Sequence, residues 1–139
     1  VAPGTVDEGG GAADQEAAGE AAMTGVRARE MNLYRRYFDL VANGSKTIEV
    51  RVRYPNLRKL KVGEYIRFVC GRDDALTRVK RVARYASFEE LLDTESPEKV
   101  NPASPRDQQL ANIRRIYGPE KEALGVLAIE IELVSEPAA

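Results

Sequence analysis

The chain has 139 residues, 43% hydrophobic and 31% charged, with 21 basic and 22 acidic side chains, one cysteine and no histidine. That length allows one domain plus a tail. The missing histidines exclude Ser-His-Asp and Cys-His mechanisms and the usual zinc hydrolase ligands, and the lone Cys70 excludes an internal disulfide or a cysteine zinc site.

Any acid–base chemistry therefore falls to Lys, Glu, Asp, Tyr or Cys70. No cofactor or metal is expected. No run of about 20 apolar residues is present, so no membrane span is expected. The chain does not open on a secretory-type segment, and with one cysteine a reduced cytoplasmic setting is the simplest expectation. The formal net charge of −1 hides an asymmetry. Residues 1–25 carry five acids and no base, whereas residues 46–84 carry twelve bases against four acids. One concentrated basic segment in a near-neutral chain suits a groove binder for an anionic partner.

Residues 1–25, rich in Ala, Gly and Glu, cannot bury enough surface to offset ordering entropy and are expected to be a disordered acidic tail. Met23 is an alternative start of translation. The folded domain is expected over residues 26–134, with 135–139 a short C-terminal tail. A short strand is predicted from Val26 to Glu30. Leu33, Tyr37, Leu40 and Val41 follow at helical spacing, and Gly44 stands where a helix needs a left-handed C-terminal residue. A strand from Lys46 to Arg53 ends at Tyr54-Pro55, and a loop or single turn covers Leu57 to Lys61. The strand Tyr65 to Cys70 leads through a Gly71-Arg72-Asp73-Asp74 hairpin into a long strand from Ala75 to Tyr85. Ser87-Phe88-Glu89-Glu90 is a capping box opening a helix through Leu91 and Leu92. Ser96-Pro97 and Ser104-Pro105 predict two further helix starts, the second running to Tyr117 with Leu110, Ile113 and Ile116 inward and Gly118 closing it. Gly125 to Leu133 is a final strand with Glu130 and Glu132 facing away from Ile129 and Ile131. Phe68, Phe88, Leu91, Val126, Leu127 and Ile129 are core candidates. Five or so short strands, taken largely in sequential order, with several helices, predict an α+β fold built on a small mixed barrel.

The segment from Lys46 to Arg53 is the most informative. Ile48, Val50 and Val52 alternate with Thr47, Glu49, Arg51 and Arg53, giving one apolar face and one face of hydroxyl, carboxylate and guanidinium groups spaced about 6.6 Å apart. Such a row suits an anionic ligand, and RNA is the natural candidate. Arg78, Lys80, Arg81 and Arg84 extend the basic surface, and Tyr54 and Tyr85 are available to stack on bases.

Gly44-Ser45-Lys46-Thr47-Ile48-Glu49-Val50-Arg51 fits the Gly-x-Lys-x-x-Glu-x-Arg signature of ASCH domains. Together with the Tyr-Pro turn, the strand entry Val62 to Phe68, and the segments Tyr85–Leu92 and Gly125–Glu130, it resembles a small stand-alone ASCH protein over roughly residues 26–134. The resemblance implies a PUA-like small mixed β-barrel of about five to six strands with flanking helices, an association with RNA, and a cleft lined by the signature residues. Some members are reported to cleave amides of modified cytosine and others to cut RNA. The amidohydrolase type resembles Gly-x-Lys-x-x-Thr, and here Glu49 stands where that Thr would.

The expected function is therefore binding of single-stranded or modified-nucleotide RNA, with Lys46, Glu49, Arg51, Arg53 and Tyr54 as contacts and Gly44 structural. Lys46 would reach a phosphate, and Glu49 would accept from a base amine or ribose hydroxyl. The rival from another class is a small hydrolase, a ribonuclease or a cytidine amidohydrolase, with Glu49 as base and Lys46 stabilising negative charge. A module that docks a protein partner is the third possibility. A monomer is favoured.

Overall fold

The structure, a computed structural model, describes residues 27–134. The expectations for residues 1–25, for Val26 and for residues 135–139 lie outside the described residues. Five strands and five α-helices follow in chain order: β1 (Ala28–Asn32), α1 (Arg35–Ala42), β2 (Ile48–Val52), β3 (Tyr65–Cys70), β4 (Asp73–Tyr85), α2 (Phe88–Thr94), α3 (Pro97–Val100), α4 (Arg106–Ile116), α5 (Pro119–Glu122) and β5 (Val126–Leu133). A single 3₁₀ turn covers Pro55–Leu57 between β2 and β3.

The strands form one mixed sheet of order β1-β3-β4-β5-β2, an α+β half-barrel. All neighbours are antiparallel except β1 and β3, which run parallel. The expected sequential order is therefore corrected: β2 leaves its chain neighbours and joins the far edge beside β5. There it pairs antiparallel with β5 from Ile48 opposite Glu130 to Val52 opposite Val126, and all five of its residues are buried.

Strand register sorts the side chains. Phe68 pairs with Met31 and Ala75, Val79 with Ile131, and Ile129 with both Val82 and Glu49, so these residues share the concave face. Val79 lies opposite Ile131 but Arg81 opposite Glu130, so Lys80 is one extra residue in β4, a β-bulge. Met31, Ile66, Phe68, Val79, Leu127 and Ile129 are essentially inaccessible to solvent. Ile48, Val50 and Val52 occupy the opposite face of β2 and join Phe88, Leu91, Val100 and Ile113 in the same continuous core. All six core candidates named from the sequence are buried.

The capping box forms: the Ser87 hydroxyl accepts from the Glu90 amide at 3.0 Å, and the Glu90 carboxylate accepts from the Ala86 amide at 3.0 Å. Two details of the later helices differ from expectation. α4 is preceded by Pro105 rather than capped by the Ser104 hydroxyl. Its inner stripe is Gln109, Ile113 and the following Tyr117, while Ile116 is largely exposed. Leu110 is only partly buried. Gln109 displaces the apolar pattern because its amide nitrogen lies 2.8–3.1 Å from the Pro97, Asn101 and Ser104 carbonyls, which it ties together in the α3–α4 connection. Gly118, expected to close α4, instead precedes α5, a short helix the sequence pattern did not single out.

Phe88 is fully buried and stacks on Tyr117 with ring centroids 5.7 Å apart. Phe88→Ala is expected to cost about 3–5 kcal/mol, measured by urea denaturation. A loss below about 1 kcal/mol would mean that the helical layer is not part of the cooperative core.

Candidate functional site

The segment feeding β2 is fixed from both sides before any signature side chain is placed. Gly44 has φ +85°, a left-handed conformation that ends α1, and its amide donates to the Val41 carbonyl at 3.1 Å. The Ser45 amide donates to Asn43 Oδ1 at 2.8 Å, and the Lys46 amide to the Leu40 carbonyl at 2.9 Å. Thr47 then bridges α3 and β5: its amide donates to the Lys99 carbonyl, and its carbonyl accepts from the Ile131 amide, both at 2.9 Å.

Lys46, Glu49 and Arg51 come together as a buried ionic triad. Glu49 is completely inaccessible, Lys46 is 1% exposed and Arg51 7%. Lys46 Nζ donates to the carbonyls of Ile48 and Val100, each at 2.8 Å, and lies 3.3 Å from Glu49 Oε1. Two of its three protons are thereby committed to backbone carbonyls. Arg51 Nε donates to Glu49 Oε2 at 2.6 Å, and Nη2 donates to the Asn32 carbonyl at 3.0 Å. Asn32 ends β1, so the Arg51 side chain bridges the two edge strands of the half-barrel. Glu49 Oε1 is buried and, despite its ion-pair contact with Lys46, receives no hydrogen bond. Burial alone would raise the Glu49 pKa. The charges of Lys46 and Arg51, with the Arg51 hydrogen bond, reverse that effect and hold it at about 2.

The polar face of β2 thus lines the concave interior instead of standing in open solvent. Patterning identified the alternation correctly but carries no information on which face is wetter, because both are covered. Arg53 and Tyr54 lie just beyond the strand and are partly exposed. The Arg53 amide donates to the Gly125 carbonyl at 2.9 Å, continuing the β2–β5 pairing by one residue. The Tyr54 ring lies under the Lys121 ammonium, 5.6 Å from its centroid, with the hydroxyl 3.5 Å from Lys121 Nζ.

The wider basic surface divides into paired and unpaired cations. Arg78 pairs with Glu132, and Arg81 with Glu130 and Glu95, so Glu130 and Glu132 are partners of β4. Two hydrogen-bonded carboxylates raise the pKa of Arg81 further above the ordinary guanidinium value. The Tyr85 hydroxyl donates to Glu95, which fixes that tyrosine to the start of the α2–α3 connection. Lys80, on the bulge, and Lys99 are exposed beside Lys46 and Thr47 around an open cleft of about 400 Å³. Glu95 carries no pattern that marks it in sequence, since its partners are ten and fourteen residues away on another element.

Among the described residues no group of three or more Cys, Asp or Glu side chains is arranged to hold a metal ion, and no helix is long and apolar enough to cross a membrane.

A mixed five-strand half-barrel with a buried Lys-Glu-Arg triad at its edge strand defines a recognisable class. The ASCH domain model matches residues 31–135, and the chain belongs to that family, which is associated in general with RNA. It is similar to the crystal structure of hypothetical protein PH0355, at 36% identity and TM-score 0.69 over 76% of this chain and 97% of that one. The solution structure of PF0455 from Pyrococcus furiosus is also 36% identical, with TM-score 0.63 over 76% of this chain and 96% of that one. ASCH from Zymomonas mobilis shares the fold at 14% identity and TM-score 0.55, over 77% of this chain and 66% of that one. No curated protein matches the chain.

The triad makes a prediction for acid stability. A folded-state pKa of about 2 against an ordinary 4.5 means that, between those values, the unfolded chain binds a proton which the folded chain does not. The contribution of Glu49 is therefore present above about pH 4.5 and is lost as pH falls towards 2; it is on the order of 3 kcal/mol. Glu49→Gln is expected to lose stability at pH 7, on the order of 3–5 kcal/mol, because two buried cations lose their counter-charge. It should also flatten the decline in stability between pH 5 and 2. Equal acid profiles for variant and parent, measured by urea unfolding, would remove Glu49 as the titrating group.

Proposed function

We propose that this ASCH protein binds RNA, single-stranded or carrying a modified nucleotide, at the mouth of the half-barrel where Glu49, Arg51, Arg53 and Tyr54 lie in sequence. The observation that carries this reading is the Glu49 carboxylate: ionised, buried, and with Oε1 lacking a donor. A buried carboxylate oxygen without a donor is costly, and a base amine or ribose hydroxyl is the kind of group that relieves it once the ligand opens the cover that leaves Glu49 inaccessible in the free protein. Arg51 stands beside it with Nε and Nη2 committed to the protein, and Nη1 remains to meet an acceptor on the same ligand. Lys46 acts as a positioning residue that fixes Glu49. Arg53 supplies charge for the backbone, and Tyr54 an aromatic surface.

The hydrolase reading draws less support from the same geometry. A carboxylate with a pKa of about 2 is a weak general base at neutral pH, and the Lys46 ammonium donates to two backbone carbonyls and is ion-paired with Glu49 itself.

The test is an amide NMR titration of the full chain with a short single-stranded RNA at low and physiological salt. Shifts concentrated from Lys46 to Tyr54, weakening as salt rises, are the expected result. Absence of localised shifts at either salt would sink the assignment. Time-dependent product formation abolished in Glu49→Gln would replace binding with catalysis.

A further inference from the structure

Beyond the triad lies a second cationic feature that the signature does not contain. Across the sheet, Arg51 pairs with Leu127, and Leu127 with Arg84, so Arg51 and Arg84 lie on one face, two strand spacings apart, about 10 Å. The next row towards the strand ends is Arg53, Gly125 and Ala86. Gly125 contributes no side chain, and Ala86 only a methyl. The φ of +95° at Gly125 favours glycine, and a Cβ on it would lie 3.9 Å from Arg53 Cδ. The result is an open cleft of about 650 Å³ whose lining includes Arg53, Arg84, Ala86, Glu90, Leu124 and Gly125.

The guanidinium groups of this cleft are not ion-paired. Among the described residues no carboxylate pairs with Arg53, Arg84 or the nearby Arg58, in contrast to Arg78 and Arg81 earlier in β4. Glu90 is the acid on the rim, and one of its carboxylate oxygens accepts from the Ala86 amide. Partial desolvation, followed by the fields of Arg84 and Arg58, lowers the pKa of Arg53 from the ordinary guanidinium value, the sign expected where like charges converge without a counter-ion.

We propose that the Arg53–Arg84 cleft is a phosphate subsite, with Gly125 as its floor and Arg58 adding to its field. This deepens the RNA reading above: the base-recognising end is the triad, and the strand's phosphate lies towards the β4–α2 corner. Guanidinium groups from β4 and from the residue that follows β2 converge on one anion, the arrangement that planar donors use for tetrahedral oxygens. The shared chemistry is a phosphate group, which RNA supplies as a diester and solution supplies as a free anion.

The experiment uses the full chain, titrated by amide NMR with inorganic phosphate and, separately, with a short single-stranded RNA. Arg84→Gln is compared with Arg72→Gln, which removes the same charge from the β3–β4 turn. RNA is expected to shift Arg53, Arg84, Ala86 and Gly125 together with the triad. Arg84→Gln should weaken RNA binding about threefold to tenfold and reduce the salt slope by about 0.7, as loss of one single-strand phosphate contact requires. Arg72→Gln should leave both near the parent values. Phosphate shifting the same cleft residues without an RNA effect would support a free-anion site instead of a diester. RNA shifts confined to the triad, with Arg84→Gln equal to Arg72→Gln and no response to phosphate, would overturn the subsite and leave the RNA reading standing. Cleft shifts with RNA but none at Lys46 to Arg51 would do the reverse.

Discussion

The arrangement of the half-barrel turns on one buried electrostatic contact, the clasp of Lys46 and Arg51 about Glu49. Removing three charged groups from water costs several kcal/mol for each ion, and Coulomb attraction alone does not guarantee recovery of that cost. Here the remaining hydrogen-bonding capacity is largely directed at protein carbonyls: Ile48 and Val100 for the ammonium, Asn32 for the guanidinium. Those carbonyls belong to β2, α3 and β1. The triad therefore fastens three elements that the sheet's own backbone pairing does not join, since β1 and β2 sit at opposite edges. A hydrophobic replacement of the same volume could fill the space but would not direct donors to those three carbonyls.

Much of the element order was legible from sequence because local chemistry and tertiary structure agree. Tyr65–Cys70 has the predicted bounds, the Ser87 capping box forms, and Gly44 has the left-handed conformation its position demanded. The failures share a physical cause: they concern places where long-range partners decide. Nothing local tells β2 to cross to the far edge. Gln109 takes an inner position because three carbonyls from the preceding connection need a donor, and Ile116, the last residue of α4, is exposed.

The signature residues were found readily, but their depth was not. Alternation of Ile, Glu, Val and Arg specifies two faces without saying that both will be covered. In the same way, a count of basic side chains between residues 46 and 84 treats every arginine as equal. The fold sorts them by their cross-strand neighbours. Glu130 and Glu132 on β5 neutralise Arg81 and Arg78, whereas the neighbours of Arg84 and Arg53 in the sheet are Leu127 and Gly125. Charge that can act on a partner is what remains after this internal pairing, and it depends on register rather than on composition.

The bulge at Lys80 has a bearing on how this chain can vary. Because side chains alternate along a strand, the extra residue resets the parity of β4 midway. Val79 and Val82 can then both point to the concave side, and Arg81 can meet its carboxylates outside. Without the bulge, the same sequence would set Lys80 opposite Glu130 and turn residues 81–85 inside out, burying Arg81 and expelling Val82. The bulge thus absorbs one residue of length without exchanging the faces of the strand, so β4 can lose a residue at Lys80 and keep both halves facing as they do, which its regular stretches cannot.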